Sequence, residues 1–173
     1  FIFKEPKEEE IGVVAINEDL LKGIEICLTT ASAKEHEPAW RGVCFTLGKY
    51  PTLFSTDGDA ITRYRSQTIV RGSGSYLIPN AFCDALLKIC SETETHQGDL
   101  RLNQDWASAI LNNGFRLYGR MIINDNPIDY QNEMDATLGK DKPFVDLNLG
   151  LNDSLARAMV VADPETAKTV MNV

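Results

Sequence analysis

Ser55-Thr56-Asp57-Gly58-Asp59 places two carboxylates two residues apart, and together with His36 they would offer a hydrolase its acid and base. The run lacks the D-x-D-x-D-G order of a calcium loop, and the alternating residues on either side make it a hairpin turn instead. Arg71-Gly72-Ser73-Gly74-Ser75 has the composition of a phosphate-cradling nest, yet a strand follows it rather than a helix. It is expected to be a flexible connector between two halves. Cys27, Cys44, Cys83 and Cys90 show no C-x-x-C spacing and no neighbouring histidine, so they read as reduced core thiols rather than metal ligands or disulfides. His36 lies between Glu35 and Glu37, and His96 follows Glu92 and Glu94, the setting of surface loops. No nucleophile with a paired base, Walker loop or metal cluster is present in the sequence, which argues against an enzyme and for no cofactor.

The elements that carry these residues are organised by a repeat. Ile16, Leu20, Leu21 and Ile24 occupy relative positions 0, 4, 5 and 8 of one apolar pattern. Ile78, Phe82, Cys83 and Leu86 repeat it 62 residues later, and Leu151, Leu155, Ala156 and Met159 open a third copy. Each of the first two helices is followed by strands: Gly42–Leu47, Thr52–Thr56 and Ala60–Tyr64 after one, Asp99–Asn103, Trp106–Leu111 and Phe115–Ile122 after the other. Asp57-Gly58 and Asn113-Gly114 sit between alternating apolar runs, a strong hairpin signal because these residues tolerate positive φ. Asn17 is placed to cap the first helix, and Pro79 to occupy the first turn of the second. On the polar faces, Lys22 and Arg157 share a repeat position and Lys88 lies one turn beyond Asp84. Such a basic stripe faces either a polyanion or plain solvent.

Composition bounds the rest. The 173 residues are 43% hydrophobic, enough for a core, and the net charge of −8 excludes a general nucleic-acid binder, so any DNA contact must be local. No apolar stretch is long enough to cross a membrane, and Phe1 in first place suggests a fragment or a processed chain.

The order helix, Trp40-Arg41-Gly42-Val43, Phe54-Ser55-Thr56-Asp57-Gly58, Leu77-Ile78-Pro79, helix, paired strands and Asp129-Tyr130 resembles the middle domain of the bacterial DNA polymerase III β subunit, the sliding clamp. The resemblance implies an α+β DNA-clamp fold: a duplicated helix-plus-antiparallel-sheet unit, with two helices packed on two four-stranded sheets. It divides the chain into residues 1–9, a tail of the first domain or a linker; 10–134, the middle domain; 135–143, a linker; and 144–173, the truncated start of the last domain. It further implies a cytoplasmic processivity factor in a bacterial or phage-infected cell, homodimeric and ring-forming in its full-length parent and monomeric as this fragment. Its partners would be double-stranded DNA, the DNA polymerase catalytic subunit and the clamp loader.

The helices of such a ring line the channel, so Lys22, Lys88 and Arg157 would face phosphates. Partner peptides carrying a glutamine and then aliphatic and aromatic residues would bind at Trp40, Thr56, Gly58, Ile61, Pro127 and Ile128. Trp40 also reads as core packing beside a strand. Asp59, Ala60 and Asn132 stand where the family has basic residues, so the resemblance leaves the peptide preference open. A stand-alone peptide-binding adaptor that no longer forms a ring is the alternative.

Overall fold

A computed structural model describes residues 12–31, 41–123, 128–130, 132, 134 and 136. Strand β1 (Gly12–Ile16) leads into helix α1 (Glu18–Leu28), followed by β2 (Gly42–Leu47), β3 (Thr52–Thr56), β4 (Ile61–Arg65) and the short β5 (Val70–Arg71). The second half runs β6 (Gly74–Pro79), α2 (Asn80–Glu92), β7 (Gly98–Leu102), β8 (Trp106–Leu111) and β9 (Arg116–Arg120). The α+β class and the duplicated unit are as expected, and both hairpin turns fall where Asp-Gly and Asn-Gly place them, with Gly58 at φ 95° and Gly114 at φ 90°.

The local signals shift by a residue or two at the helix starts. Ile16 ends a strand and is followed by Asn17, whose side chain accepts a 2.8 Å hydrogen bond from the Leu20 amide. Pro79 likewise ends β6 and occupies the N-cap position of α2, not its first turn. The repeated apolar pattern therefore joins the end of a strand, Ile16 as the last residue of β1 and Ile78 as the last but one of β6, to the buried face of the helix that follows.

The sheets are antiparallel and ordered β5-β1-β7-β8-β9 and β4-β3-β2-β6. Each half keeps its own three-stranded meander but hands its first strand to the other half: β1 pairs with β7, and β6 with β2. Among the described residues nine strands stand where eight are expected, because β5 adds to the otherwise open edge of β1. There the Ala15 amide donates to the Ile69 carbonyl at 2.9 Å and the Thr68 hydroxyl donates to the Ala15 carbonyl at 2.7 Å. The expected flexible connector is thus structured: Arg71 belongs to β5, and Gly74 and Ser75 belong to β6.

The two helices lie in contact with one another over the inner faces of both sheets. Leu20, Ile24 and Cys27 of α1 and Phe82, Cys83, Leu86 and Cys90 of α2 share one core with Val43, Phe45, Leu53 and Ile78 from one sheet and Val14, Leu100, Ala107 and Ala109 from the other. All four cysteines are free and buried, as their apolar positions imply. Burial pushes the Cys27 thiol up to about 12, so it behaves as a small apolar side chain. Among the described residues no helix is long and apolar enough to cross a membrane.

Candidate functional site

Strand alternation sends Leu53 and Ser55 toward the helices and Phe54 and Thr56 to the opposite face of the four-stranded sheet. Cys44 on β2 pairs with Phe54, and Ile61 on β4 pairs with Thr56, so all four share that outer face. Ile128, Tyr130 and Met134 pack onto it. Tyr130 is buried there, its ring stacked on Phe54 with centroids 5.4 Å apart and planes 15° from parallel. Ile61, Leu77, Ile128 and Met134 close around the pair as a second, smaller apolar cluster. Beside it opens a groove of about 930 Å³ whose walls include Phe54, Arg63, Arg65, Leu77, Ile123 and Tyr130. An aromatic floor edged by guanidinium groups can hold an apolar side chain and steer a polar or anionic neighbour. Burial pushes the Cys44 thiol in this floor up to about 11, so it is neutral at physiological pH and offers packing surface, not a nucleophile.

The hairpin at the end of this face is held by its own side chains. Thr56, only 4% exposed, donates from its hydroxyl to the Ala60 carbonyl at 2.6 Å and accepts from the Gly58 amide at 3.1 Å. The Asp57 carboxylate accepts from the amides of Asp59 at 3.0 Å and Ala60 at 2.9 Å. That bonding makes Asp57 a turn former, and Asp59 is exposed beside it. The third member of the hydrolase alternative, His36, lies outside the described residues. No group of three or more potential metal ligands occurs among the described residues.

Of the residues expected to bind a peptide, Thr56 and Ile61 face each other across a strand pair, and Ile128 joins Ile61 in the small cluster. Gly58 stands exposed at the turn. Trp40 and Pro127 lie outside the described residues. Phe54 and Tyr130, which organise the cluster, were not among the expected site residues. The period-2 alternation through Thr52, Phe54 and Thr56 was the available signal for Phe54. Asn132, expected to stand at a position where the family is basic, donates from its backbone amide to Asp129 at 3.1 Å and from its side-chain amide at 2.6 Å.

The exposed helix surfaces carry the expected Lys22 and Lys88, but each is answered by a carboxylate on its own helix. Lys22 Nζ lies 3.2 Å from Glu25, and Lys88 Nζ lies 4.0 Å from Glu92. Pairs this exposed contribute roughly 0–1 kcal/mol and can be exchanged for another anion. Exposed Glu18 and Asp84 lie on the same helices, so the described helix surfaces hold more carboxylates than lysines. Arg157 lies outside the described residues.

No family model and no curated protein matches the sequence. Solved structures do match. The chain superposes on the Helicobacter pylori β clamp bound to a DNA ligase peptide with a TM-score of 0.63 at 13% identity, over 76% of this chain and 36% of that one. It superposes on DNA polymerase III subunit β from Borrelia burgdorferi, in complex with a natural product, with a TM-score of 0.64 at 19% identity over 95% and 43% of the two chains. The DNA polymerase sliding clamp from Caulobacter crescentus gives 0.61 at 14% identity over 75% and 36%. The fold is that of the sliding clamp, and the chain spans 36% to 43% of the length of these proteins.

Proposed function

We propose that this chain is the middle portion of a DNA polymerase processivity factor. In the full-length parent, a homodimeric ring would encircle duplex DNA and tether the replicative polymerase by a peptide held on the outer face of the four-stranded sheet. The observation that carries this reading is the duplicated fold with exchanged first strands, which matches β clamps over as much as 95% of the chain. The Phe54–Tyr130 cluster with Ile61 and Ile128 supports the peptide site, since aliphatic and aromatic side chains need a buried apolar floor. The protein would act in the cytoplasm with a clamp-loader ATPase, without chemistry of its own and without a cofactor. Residues 10–134 would form the middle domain, and 144–173 the start of the last. The chain alone would be monomeric.

One observation favours a second reading, a peptide-binding adaptor that does not encircle DNA: the helix lysines are paired within their own helices and outnumbered by carboxylates. The full-length parent, loaded by a clamp loader onto nicked circular DNA, separates the two. A ring comigrates with the circle and is lost when the circle is cut. Equal retention on linear and circular DNA, or none on either, with binding of a glutamine-aliphatic-aromatic peptide preserved, establishes the adaptor.

A further inference from the structure

We infer that the outer face of the five-stranded sheet is a second docking surface, shaped for an acidic segment of a protein partner. Register assembles it from all five strands of the sheet. Val13 on β1 lies opposite Arg71 of β5 on one side and Arg101 of β7 on the other. Arg101 pairs with Ser108, and Ser108 with Tyr118, so one row across the sheet reads Arg71, Val13, Arg101, Ser108, Tyr118. With neighbouring strands about 4.8 Å apart, Arg71, Arg101 and Tyr118 recur at roughly 10 Å intervals. Arg116 and Arg120 flank Tyr118 on β9 and point the same way, because Leu117 and Gly119 between them turn inward to the core.

The charge on this face has little to answer it. Among the described residues none of these four arginines makes an ion pair with a carboxylate, and Asp99 is the one acidic residue in the same alternation. Among the described residues the buried Nε of Arg101, in the middle of the face, has no hydrogen-bond partner. Arg120 lies 5.3 Å above the ring of Trp106, and Tyr118 is 37% exposed. In a chain of net charge −8 this is a local concentration of positive charge, on the side away from the helices.

Two features select the occupant. Every cation here is arginine, whose planar fork takes a carboxylate bidentately, whereas a surface that only tracks phosphates is served equally by lysine. The arginines are also interleaved with tryptophan, tyrosine and the apolar Val13 and Ile110, the mixture that carries most of the energy in protein interfaces. An acidic segment with a few aromatic or aliphatic side chains matches both.

The test uses the whole chain and a fluorescein-labelled oligoglutamate interrupted by phenylalanines, followed by fluorescence anisotropy at low salt. Wild type binds it, and Arg101→Gln/Arg116→Gln weakens binding by about tenfold, the effect of removing two charge pairs from a partly desolvated surface. Arg116→Gln alone, at an exposed position, gives a smaller loss in the same direction and serves if the double variant does not fold. Lys22→Gln/Lys88→Gln leaves the affinity unchanged. No binding by wild type, or equal binding by the arginine variants, overturns the inference. So does tighter binding of labelled oligothymidylate that the same arginine variants abolish, which makes the face a nucleic-acid surface. None of these outcomes depends on ring formation or on the groove beside Phe54, so the inference and the proposed function fail separately.

Discussion

Replacing Gly23 by alanine sets two opposite effects against each other on one helix. Gly23 lies inside α1 and is buried, and a Cβ there would stand 2.7 Å from Cε1 of Tyr64, with Cδ1 closer still. In an exposed helix interior the same change would stabilise by about 1 kcal/mol through backbone entropy. Here the ring must move away to reach ordinary contact, and it is not free to do so. The Tyr64 hydroxyl donates to the Asp19 carboxylate at 2.6 Å, which pins its far end. Overpacking of this kind costs about 1–3 kcal/mol, and a lost hydrogen bond to a charged acceptor about 1.5–3 kcal/mol. The clash therefore wins, and Gly23→Ala is expected to lower stability by about 2 kcal/mol net. Urea unfolding followed by far-ultraviolet circular dichroism measures this directly. In a Tyr64→Ala background the obstacle is gone, and Gly23→Ala should then stabilise by about 0.5–1 kcal/mol. A neutral or stabilising effect of Gly23→Ala with Tyr64 in place would refute the packing of α1 on β4 described above.

Phe54→Ala removes one half of the Phe54–Tyr130 stack and should cost about 3 kcal/mol, near the low end for buried phenylalanine because its cluster is small, with parallel loss of clamp-binding peptide in an anisotropy titration. An unchanged unfolding midpoint would mean that Tyr130 is not docked on the sheet. Asp19 is also open to test by pH: burial raises its pKa, but hydrogen bonds from Ser66, Tyr64 and the Gln67 amide outweigh this and leave it below the ordinary aspartate value. A depressed carboxyl contributes stability that is complete above the unfolded pKa near 4 and is lost as pH falls through the lower folded value. The stability gap between wild type and Asp19→Asn should thus narrow on acidification below about pH 4, and a gap that widens contradicts the bonding scheme. In the full-length parent, Lys22→Gln/Lys88→Gln should flatten the logarithmic salt dependence of DNA retention by about 1.8, two phosphate contacts' worth, with little change in melting temperature. An unchanged slope returns both lysines to their helical carboxylate partners.

What could be read without a structure is what short-range stereochemistry dictates. Asp57-Gly58 and Asn113-Gly114 specify turns because the glycines must take positive φ, and those turns set the pairing of β3 with β4 and of β8 with β9. The helix faces follow from the four-residue apolar beat, and their burial makes Leu20, Ile24, Phe82 and Leu86 core. Thr56 and Ile61 were legible as neighbours for the same reason, since one hairpin holds both. The exchange of β1 and β6 between the two halves was not, because edge pairing between segments far apart in sequence is chosen by which arrangement satisfies every backbone group and closes one core. Neither β1 nor β5 announced itself: Ile16 fits a helical beat as well as a strand end, and Val70-Arg71 becomes a strand only because β1 offers it an open edge. Tertiary packing likewise laid Tyr130 on Phe54 and so joined Ile128 to Ile61. It also sorted the charges, leaving carboxylates and lysines on the helices while gathering Arg71, Arg101, Arg116 and Arg120 on one sheet face. These arginines are scattered along the chain, and strand register alone makes them neighbours.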